Sequence, residues 1–252
     1  MKPIRALVFS LPIITLLCSG LLFLSCEESH IKGVGEIVTE TRNMNSFHSV
    51  HVSDNIETEL IFNEGNFGRI DVEGGKNLLP YVITEVIDSV LYIRNENRFN
   101  WLRSYEKSEI RMNVYCENLK FLRFDGVNTL NFKDTLYTDS FEFEAKGAMG
   151  FVHMKLVADS VKVFVHTGAP DVYLSGNSDY LYVFSHAHGN TRALEFSSQH
   201  VRVHLRGTAS CYVSPNQSLG TTIESFGNVF YRNNPEILWN TETHEGRLIK
   251  ID

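Results

Sequence analysis

Cysteine and positive charge are scarce in this sequence of 252 residues. Its four cysteines stand at irregular spacing, which excludes a disulfide-stabilised scaffold and a zinc module. Lysine and arginine number 23 against 30 acidic residues, a formal net charge of −7. Because nucleic-acid binding requires clustered cations that neutralise phosphates, we expect no nucleic-acid partner. The hydrophobic fraction of 43% is ordinary for a globular chain, which excludes a disordered chain and a multi-pass membrane protein.

Helix-forming patterns are nearly absent after residue 45. Short runs that alternate apolar and polar residues, such as 47–52 and 56–61, predict strands instead. Between residues 116 and 232 a strand, a glycine and a second strand recur, and the glycines are spaced by 18 to 21 residues: Gly126, Gly147, Gly168, Gly189, Gly207 and Gly227. A unit of this length cannot bury a core alone, so successive units must stack. The sequence therefore predicts an all-β domain over residues 41–252, a parallel β-helix or solenoid with turns of about 20 residues.

The two-residue period of a strand predicts which side chains point inward. Counting back from each glycine places two columns in the core: Leu122, Phe143, Phe164, Ser185, Val203 and Ile223, and Phe124, Ala145, His166, Ala187, Leu205 and Ser225. The column between them is expected to face outward: Arg123, Glu144, Val165, His186, His204 and Glu224. Ser185 fits a core poorly, and we expect Phe184 to take its place through a β-bulge.

The outward column raises the question of metal binding. His186 and His204 could share a divalent metal with Glu144 or Glu224, because stacked strands lie about 4.8 Å apart. A solvated polar face explains the same residues, and no HExxH, CxxC or calcium-loop motif is present. We therefore predict no metal site and no cofactor.

Catalytic signals are weak as well. No GxSxG motif is present, and the thiols of Cys116 and Cys211 are expected to be buried in separate strands. Asp71, Glu73 and Asp88 could supply an acid and a base, but any acidic β-rich protein offers such pairs. We therefore predict that the protein is not an enzyme.

The N-terminus is typical of an exported protein. Lys2 and Arg5 precede an uncharged run at residues 6–24, as in a secretory signal peptide. The segment that ends at Cys26 resembles a lipobox, where a bacterial lipoprotein is cut before a cysteine that receives diacylglycerol. We predict a signal peptide over residues 1–25, lipidation of Cys26 and a linker over residues 26–40. Cleavage at Cys18 and an uncleaved membrane anchor remain as alternatives.

The predicted location follows from the lipid. A lipid on Cys26 would attach the protein to the outer membrane, since each buried CH₂ contributes about 0.8 kcal/mol. Glu27 and Glu28 directly after it resemble the surface-export signal of some Gram-negative lipoproteins. The cell surface and the periplasm both remain open.

One segment between strand patterns is rich in aromatic and basic residues. Residues 94–107 hold Phe99, Trp101 and Tyr105, interleaved with arginines that include Arg103. Exposed aromatics beside arginine often anchor a binding partner, and aromatic faces suit sugar rings. We predict a binding site at these four residues. The alternative is that the segment covers an edge of the sheet.

The order of several short segments resembles one known family. The segments are 45–47, 50–52, 75–79, 122–126 and 226–231, followed by Pro235 and Gly246. Over roughly residues 33–252 they resemble the head GIN domain family, often labelled "putative auto-transporter adhesin". The resemblance implies a right-handed parallel β-helix and a secreted or lipid-anchored location, and it supplies no catalytic residues.

These observations together predict an exported cell-envelope lipoprotein. Its solenoid would act as a non-catalytic binding or adhesion module, with a protein or a glycan as the ligand. An enzyme that acts on polysaccharide and a purely structural envelope protein are the two alternatives.

Overall fold

The computed structural model describes residues 33–62, 65–97 and 109–252. These residues form seventeen strands and one 3-10 turn at Leu79–Tyr81. In chain order the strands are β1 (Ile37–Asn43), β2 (Ser49–Asp54), β3 (Glu57–Ile61), β4 (Arg69–Gly75), β5 (Val82–Ile87), β6 (Val90–Asn95), β7 (Arg111–Tyr115), β8 (Phe121–Gly126), β9 (Leu130–Phe132), β10 (Leu136–Ala145), β11 (Ala148–Val165), β12 (Gly168–Ser185), β13 (Thr191–Leu205), β14 (Cys211–Ile223), β15 (Val229–Tyr231), β16 (Glu236–Glu242) and β17 (Leu248–Lys250).

Parallel pairing joins these strands into two continuous faces. On face A the order is β6, β2, β8 and β10, then the C-terminal halves of β11 to β14, and finally β16. On face B the order is β7, β3 and β9, then the N-terminal halves of β11 to β14, then β15 and β17. Because the long strands contribute to both faces, each turn winds around a shared interior. The predicted all-β solenoid with turns of about 20 residues is thus confirmed.

The core consists of apolar columns that run from turn to turn. Phe143 pairs with Val163, Val163 with Val183, and Val183 with Val203, and all four are fully buried. Burial of one such side chain stabilises the fold by roughly 1.5–3 kcal/mol relative to its exposure. Every turn therefore covers the apolar side of its neighbour, as the short repeat requires.

Antiparallel strands close the N-terminal end, which the repeat did not predict. On face B, β4 lies antiparallel to β7, and β1 lies antiparallel to β4. On face A, β5 lies antiparallel to β6. Arg42 on β1 holds this end together, since its guanidinium donates to the carbonyl oxygens of Val82 at 2.6 Å and Leu79 at 3.0 Å. Residues 37–40 of the expected linker are therefore part of a paired strand.

The register of the turns corrects the glycine-based alignment. Glu144 pairs with Phe164 and Phe164 with Phe184, so both phenylalanines face outward. Val165 is buried in place of Phe164, and Ser185 is buried beneath it without the predicted bulge. The predicted inward positions of Phe164 and His166 and the predicted outward position of Val165 are wrong.

The error has a simple geometric cause. The pairing of Phe143 with Val163 advances by 20 residues, whereas Gly147 and Gly168 are 21 residues apart. Gly168 consequently pairs with Ala148. The glycines gather near one corner of successive turns, but they do not form a single column.

Substitution of two glycines with positive φ tests how closely successive turns of the solenoid approach each other. Gly147 has φ +65° with open space around it, whereas Gly168 has φ +99° and a Cβ there would overlap the carbonyl oxygen of Ala148. We expect Gly147→Ala to lower the free energy of unfolding by about 1 kcal/mol, the cost of a left-handed backbone. Gly168→Ala should lower it by about 3 kcal/mol because overlap adds to that cost. Equal losses in urea-induced unfolding would contradict the close packing of turns.

Candidate functional site

The site residues predicted from the sequence cannot be placed. Phe99, Trp101, Arg103 and Tyr105 lie outside the described residues, and so does Cys26. The described residues carry a different combination of aromatic rings and arginine, on face B.

Five outward side chains on face B stack into one column. They come from successive strands, β11 to β15, and we call them the aromatic–arginine column: His153, Tyr173, Arg192, Tyr212 and Phe230. The rings of His153 and Tyr173 are stacked with centroids 4.6 Å apart, and those of Tyr212 and Phe230 with centroids 4.8 Å apart. The parallel register forms the column, because it places each of these side chains above the one from the preceding turn.

Arg192 occupies the centre of this column. Its guanidinium carbon lies 5.1 Å from the centroid of the Tyr212 ring and 5.9 Å from that of Tyr173. Such cation–π contacts hold the guanidinium between the rings and contribute about 0.5–1 kcal/mol each at exposed sites. No carboxylate of the described residues forms an ion pair with Arg192, so its edge N–H groups remain available to a ligand.

A bulge in β13 opens a recess beside Arg192. Between Tyr173 and Ser175 the chain of β12 advances two residues while β13 advances three, from Arg192 to Glu195. The register against β14 shifts again beyond Ala193. The displaced backbone leaves a recess of about 310 Å³, lined by Tyr173, Leu174, Arg192, Leu194, Glu195 and Tyr212. That volume is at the small end of known ligand sites.

The lining of the recess combines three kinds of chemistry. Arg192 offers hydrogen-bond donors, the Glu195 carboxylate offers acceptors, and the tyrosine hydroxyls can do either. Leu194 adds apolar surface, and Leu174 lies beneath the recess as a buried core side chain. Together these groups can hold a small ligand that has both hydroxyl groups and an apolar face.

A second arginine lies between aromatic rings on face A. The guanidinium carbon of Arg202 is 5.6 Å from the ring centroid of Tyr182 and 5.5 Å from that of Trp239. Trp239 in turn covers Gly220 on the preceding turn, where a Cβ would overlap the indole. Arg202 is a structural counterpart of Arg192, because each guanidinium group lies between two aromatic rings. Arg202 does not line the recess beside Arg192.

The histidines and carboxylates considered as metal ligands lie beside other polar side chains instead of converging on one point. Glu224 is 3.0 Å from Nε of Arg206 and 3.4 Å from Nε2 of His204. Glu144 is 2.9 Å from Lys146 and 3.1 Å from His166. Burial raises the pKa of the Glu144 carboxyl, but the hydrogen bond from Lys146 and the nearby positive charges outweigh it and hold that pKa below its ordinary value.

Metal-ligating side chains do not converge in the part of the chain that the structure describes. His186 is exposed in the turn after β12, and Phe164 and Phe184 lie between Glu144 and His204 in the outward column. No group of three histidine, cysteine or acidic side chains within residues 33–62, 65–97 and 109–252 could hold a metal ion.

The proposed acid–base carboxylates are also not assembled. Asp71 on β4 accepts hydrogen bonds from Arg69 and Thr41, and these outweigh burial and lower its pKa. Glu73 lies 3.5 Å from Arg111, and Asp88 belongs to the turn between β5 and β6. A carboxyl with a lowered pKa is a poor general acid at neutral pH.

The two described cysteines are buried and free, as expected. Burial raises the pKa of the Cys211 thiol to about 12 and also raises that of Cys116. Neither sulfur is available as a thiolate nucleophile at neutral pH.

A larger groove of about 670 Å³ lies near the N-terminal end of the solenoid. Glu117 and Lys120 in a loop and Asp139 on β10 give it a mixed polar lining, and Tyr137 is its most exposed aromatic side chain. It contains no arginine held between rings.

The aromatic–arginine column was missed because the sequence alignment followed the glycines. Tyr173, Arg192 and Tyr212 recur at steps of 19 and 20 residues, which is a detectable signal. The bulge in β13 has no such signal, since it appears only once the strands on either side are in register.

No described helix is long and apolar enough to cross a membrane.

Comparison with protein families gives one match. The family described as "Putative auto-transporter adhesin, head GIN domain" matches residues 46–235. The curated protein sequences contain no match to the chain.

Several solved structures share the fold. A putative adhesin from Bacteroides fragilis has a TM-score of 0.79 and 18% identity, over 86% of this chain and 97% of its own. One from Parabacteroides merdae has a TM-score of 0.63 and 18% identity, over 88% and 99%. A protein from Parabacteroides distasonis described as a putative lipid binding protein has a TM-score of 0.62 and 14% identity, over 88% and 99%. At these identities the likeness is one of fold.

Proposed function

The chain belongs to the head GIN domain family, and from this premise we propose that it is an exported cell-envelope protein that binds a protein or a glycan without altering it covalently. The observation that carries the proposal is the aromatic–arginine column, a set of side chains held at fixed positions on face B of a rigid solenoid. Tyrosine and arginine are enriched among the residues that dominate binding energy. Solenoid proteins commonly bind along such a face.

The state of the candidate catalytic groups supports a role without catalysis. Of the carboxylates considered as acid or base, Asp71 is paired with Arg69, and Glu73 lies 3.5 Å from Arg111. Asp71 has a lowered pKa, which opposes proton donation at neutral pH. The described thiols are buried. A polysaccharide-acting enzyme and a structural envelope protein are the competing functions, and the experiments below separate them from a binding module.

Attachment through lipid is part of the same proposal. The signal peptide of residues 1–25, lipidation of Cys26 and location at the outer membrane rest on the sequence pattern described above. A tether at that end would leave faces A and B free along the length of the solenoid. Residues Phe99, Trp101, Arg103 and Tyr105 are proposed as an additional contact region.

Binding without turnover can be measured directly. We expect the full chain, in a detergent without a sugar headgroup, to be retained saturably by at least one member of a panel of immobilised starch, mannan, galactan, polygalacturonate, mucin and fibronectin. The eluted ligand should be unchanged in size, and no new reducing ends should appear. Reducing ends that increase with protein concentration would indicate an enzyme instead, and absence of retention throughout the panel would favour a structural protein.

The lipid anchor has its own test. Mass spectrometry of the protein purified from membranes of a Gram-negative host should show an N-terminal peptide that begins at diacylglyceryl-modified Cys26. The Cys26→Ala variant should remain unprocessed, because cleavage requires the lipidated cysteine. An unmodified Cys26 in a chain that retains residues 1–25 would contradict the anchor, and processing at Cys18 would relocate it.

A further inference from the structure

We propose that the recess beside Arg192 binds an uncharged pyranose sugar of a polysaccharide. The inference rests on the proposed binding function and names the ligand class and the site. It concerns the recess lined by Tyr173, Leu174, Arg192, Leu194, Glu195 and Tyr212.

The donors and acceptors of the recess match vicinal hydroxyl groups. A pyranose hydroxyl both donates and accepts, and the recess supplies a guanidinium donor at Arg192 beside a carboxylate acceptor at Glu195. Arg192 lies between the rings of Tyr173 and Tyr212. These contacts restrict the guanidinium group before the ligand arrives, which reduces the entropic cost of binding.

The apolar part of the lining matches the other side of a sugar ring. One face of a pyranose carries C–H groups that pack against aromatic and aliphatic surface, and Tyr173, Tyr212 and Leu194 provide it. A fatty acyl chain would offer no hydrogen-bond partner to Arg192 and Glu195 and would use only the apolar part of the lining.

Charge argues for an uncharged sugar rather than an acidic one. Glu195 lines the recess itself, and the chain has a formal net charge of −7. A uronate or phosphate would be repelled by that carboxylate and by the overall field. The single cation at Arg192 is already shared between two aromatic rings.

Arg202 provides a matched control for the structural role of Arg192. Each guanidinium lies between two aromatic rings at 5.1 to 5.9 Å, so Arg192→Met and Arg202→Met remove comparable cation–π contacts. Arg192 alone lines the recess. Tyr137→Ala serves as a second control, because Tyr137 is exposed in the separate, larger groove.

The test measures retention of the full chain and its variants on immobilised starch, mannan and galactan, with polygalacturonate and phosphatidylglycerol vesicles as charged probes. We expect wild-type protein to bind at least one of the three neutral polysaccharides. Arg192→Met should weaken that binding by about tenfold or more, as for a central contact residue, while Arg202→Met and Tyr137→Ala should leave it within about twofold. Tyr212→Phe, which keeps the ring, should retain more binding than Tyr212→Ala. Thermal unfolding identifies any variant that fails to fold.

Three results would overturn the inference. They are no binding to any of the three neutral polysaccharides, equal binding by wild-type protein and a folded Arg192→Met variant, and Arg192-dependent binding confined to polygalacturonate or to the vesicles. Retention on fibronectin alone, with equal retention of a folded Arg192→Met variant, would leave the proposed binding function intact while removing the sugar site. Absence of retention on every probe would remove both.

Discussion

Parallel hydrogen bonding between successive turns, at a step of about 20 residues, is the constraint on which the rest of this structure depends. It aligns Phe143, Val163 and Val183 in the interior, so that each turn hides the apolar side of its neighbour. The same alignment operates on the outside, where it stacks Tyr173, Arg192 and Tyr212. The core and the candidate site are therefore two consequences of one register, and a change in that register would disrupt both.

Stacking also determines how polar groups are accommodated in the core. Ser178 and Ser198 belong to adjacent turns, and their hydroxyl oxygens are 2.8 Å apart, so each satisfies the other. Ser185 has Val165 and Leu205 as its neighbours in the register, and its buried hydroxyl has no hydrogen-bond partner among the described residues. An unpaired buried hydroxyl costs about 1–3 kcal/mol. Burial of the many apolar side chains in the core offsets that cost.

The sequence was sufficient for the architecture but not for the register. Repeated glycines and the alternation of apolar and polar residues predict the stacked turns of a β-solenoid, because both features report on local backbone geometry. Whether Phe164 points inward or outward depends instead on the number of residues from one turn to the next. The glycines are 21 residues apart, whereas paired strand residues are 20 apart, and this difference of one residue reverses the direction of the side chain. Hydrogen bonds with the two neighbouring turns determine the register, and no local sequence pattern reveals those bonds.

The antiparallel strands β1, β4 and β5 at the N-terminal end were missed for the same reason. At the candidate site, tyrosine and arginine recur visibly, but the recess lies where β13 is out of regular register with β12 and β14, and no local pattern shows that irregularity.

The register itself can be tested by disulfide trapping on face A. Lys162 pairs with Tyr182, and neighbouring strands lie about 4.8 Å apart, within the Cα separation that a disulfide spans. A step of 21 residues would pair Lys162 with Val183 instead. The double variant Lys162→Cys/Tyr182→Cys should form an intramolecular disulfide under mild oxidation, detected by peptide mapping without reduction, and Lys162→Cys/Val183→Cys should remain reduced. Crosslinking of the second pair in preference to the first would contradict the register, and with it the column that places Arg192 between two tyrosines.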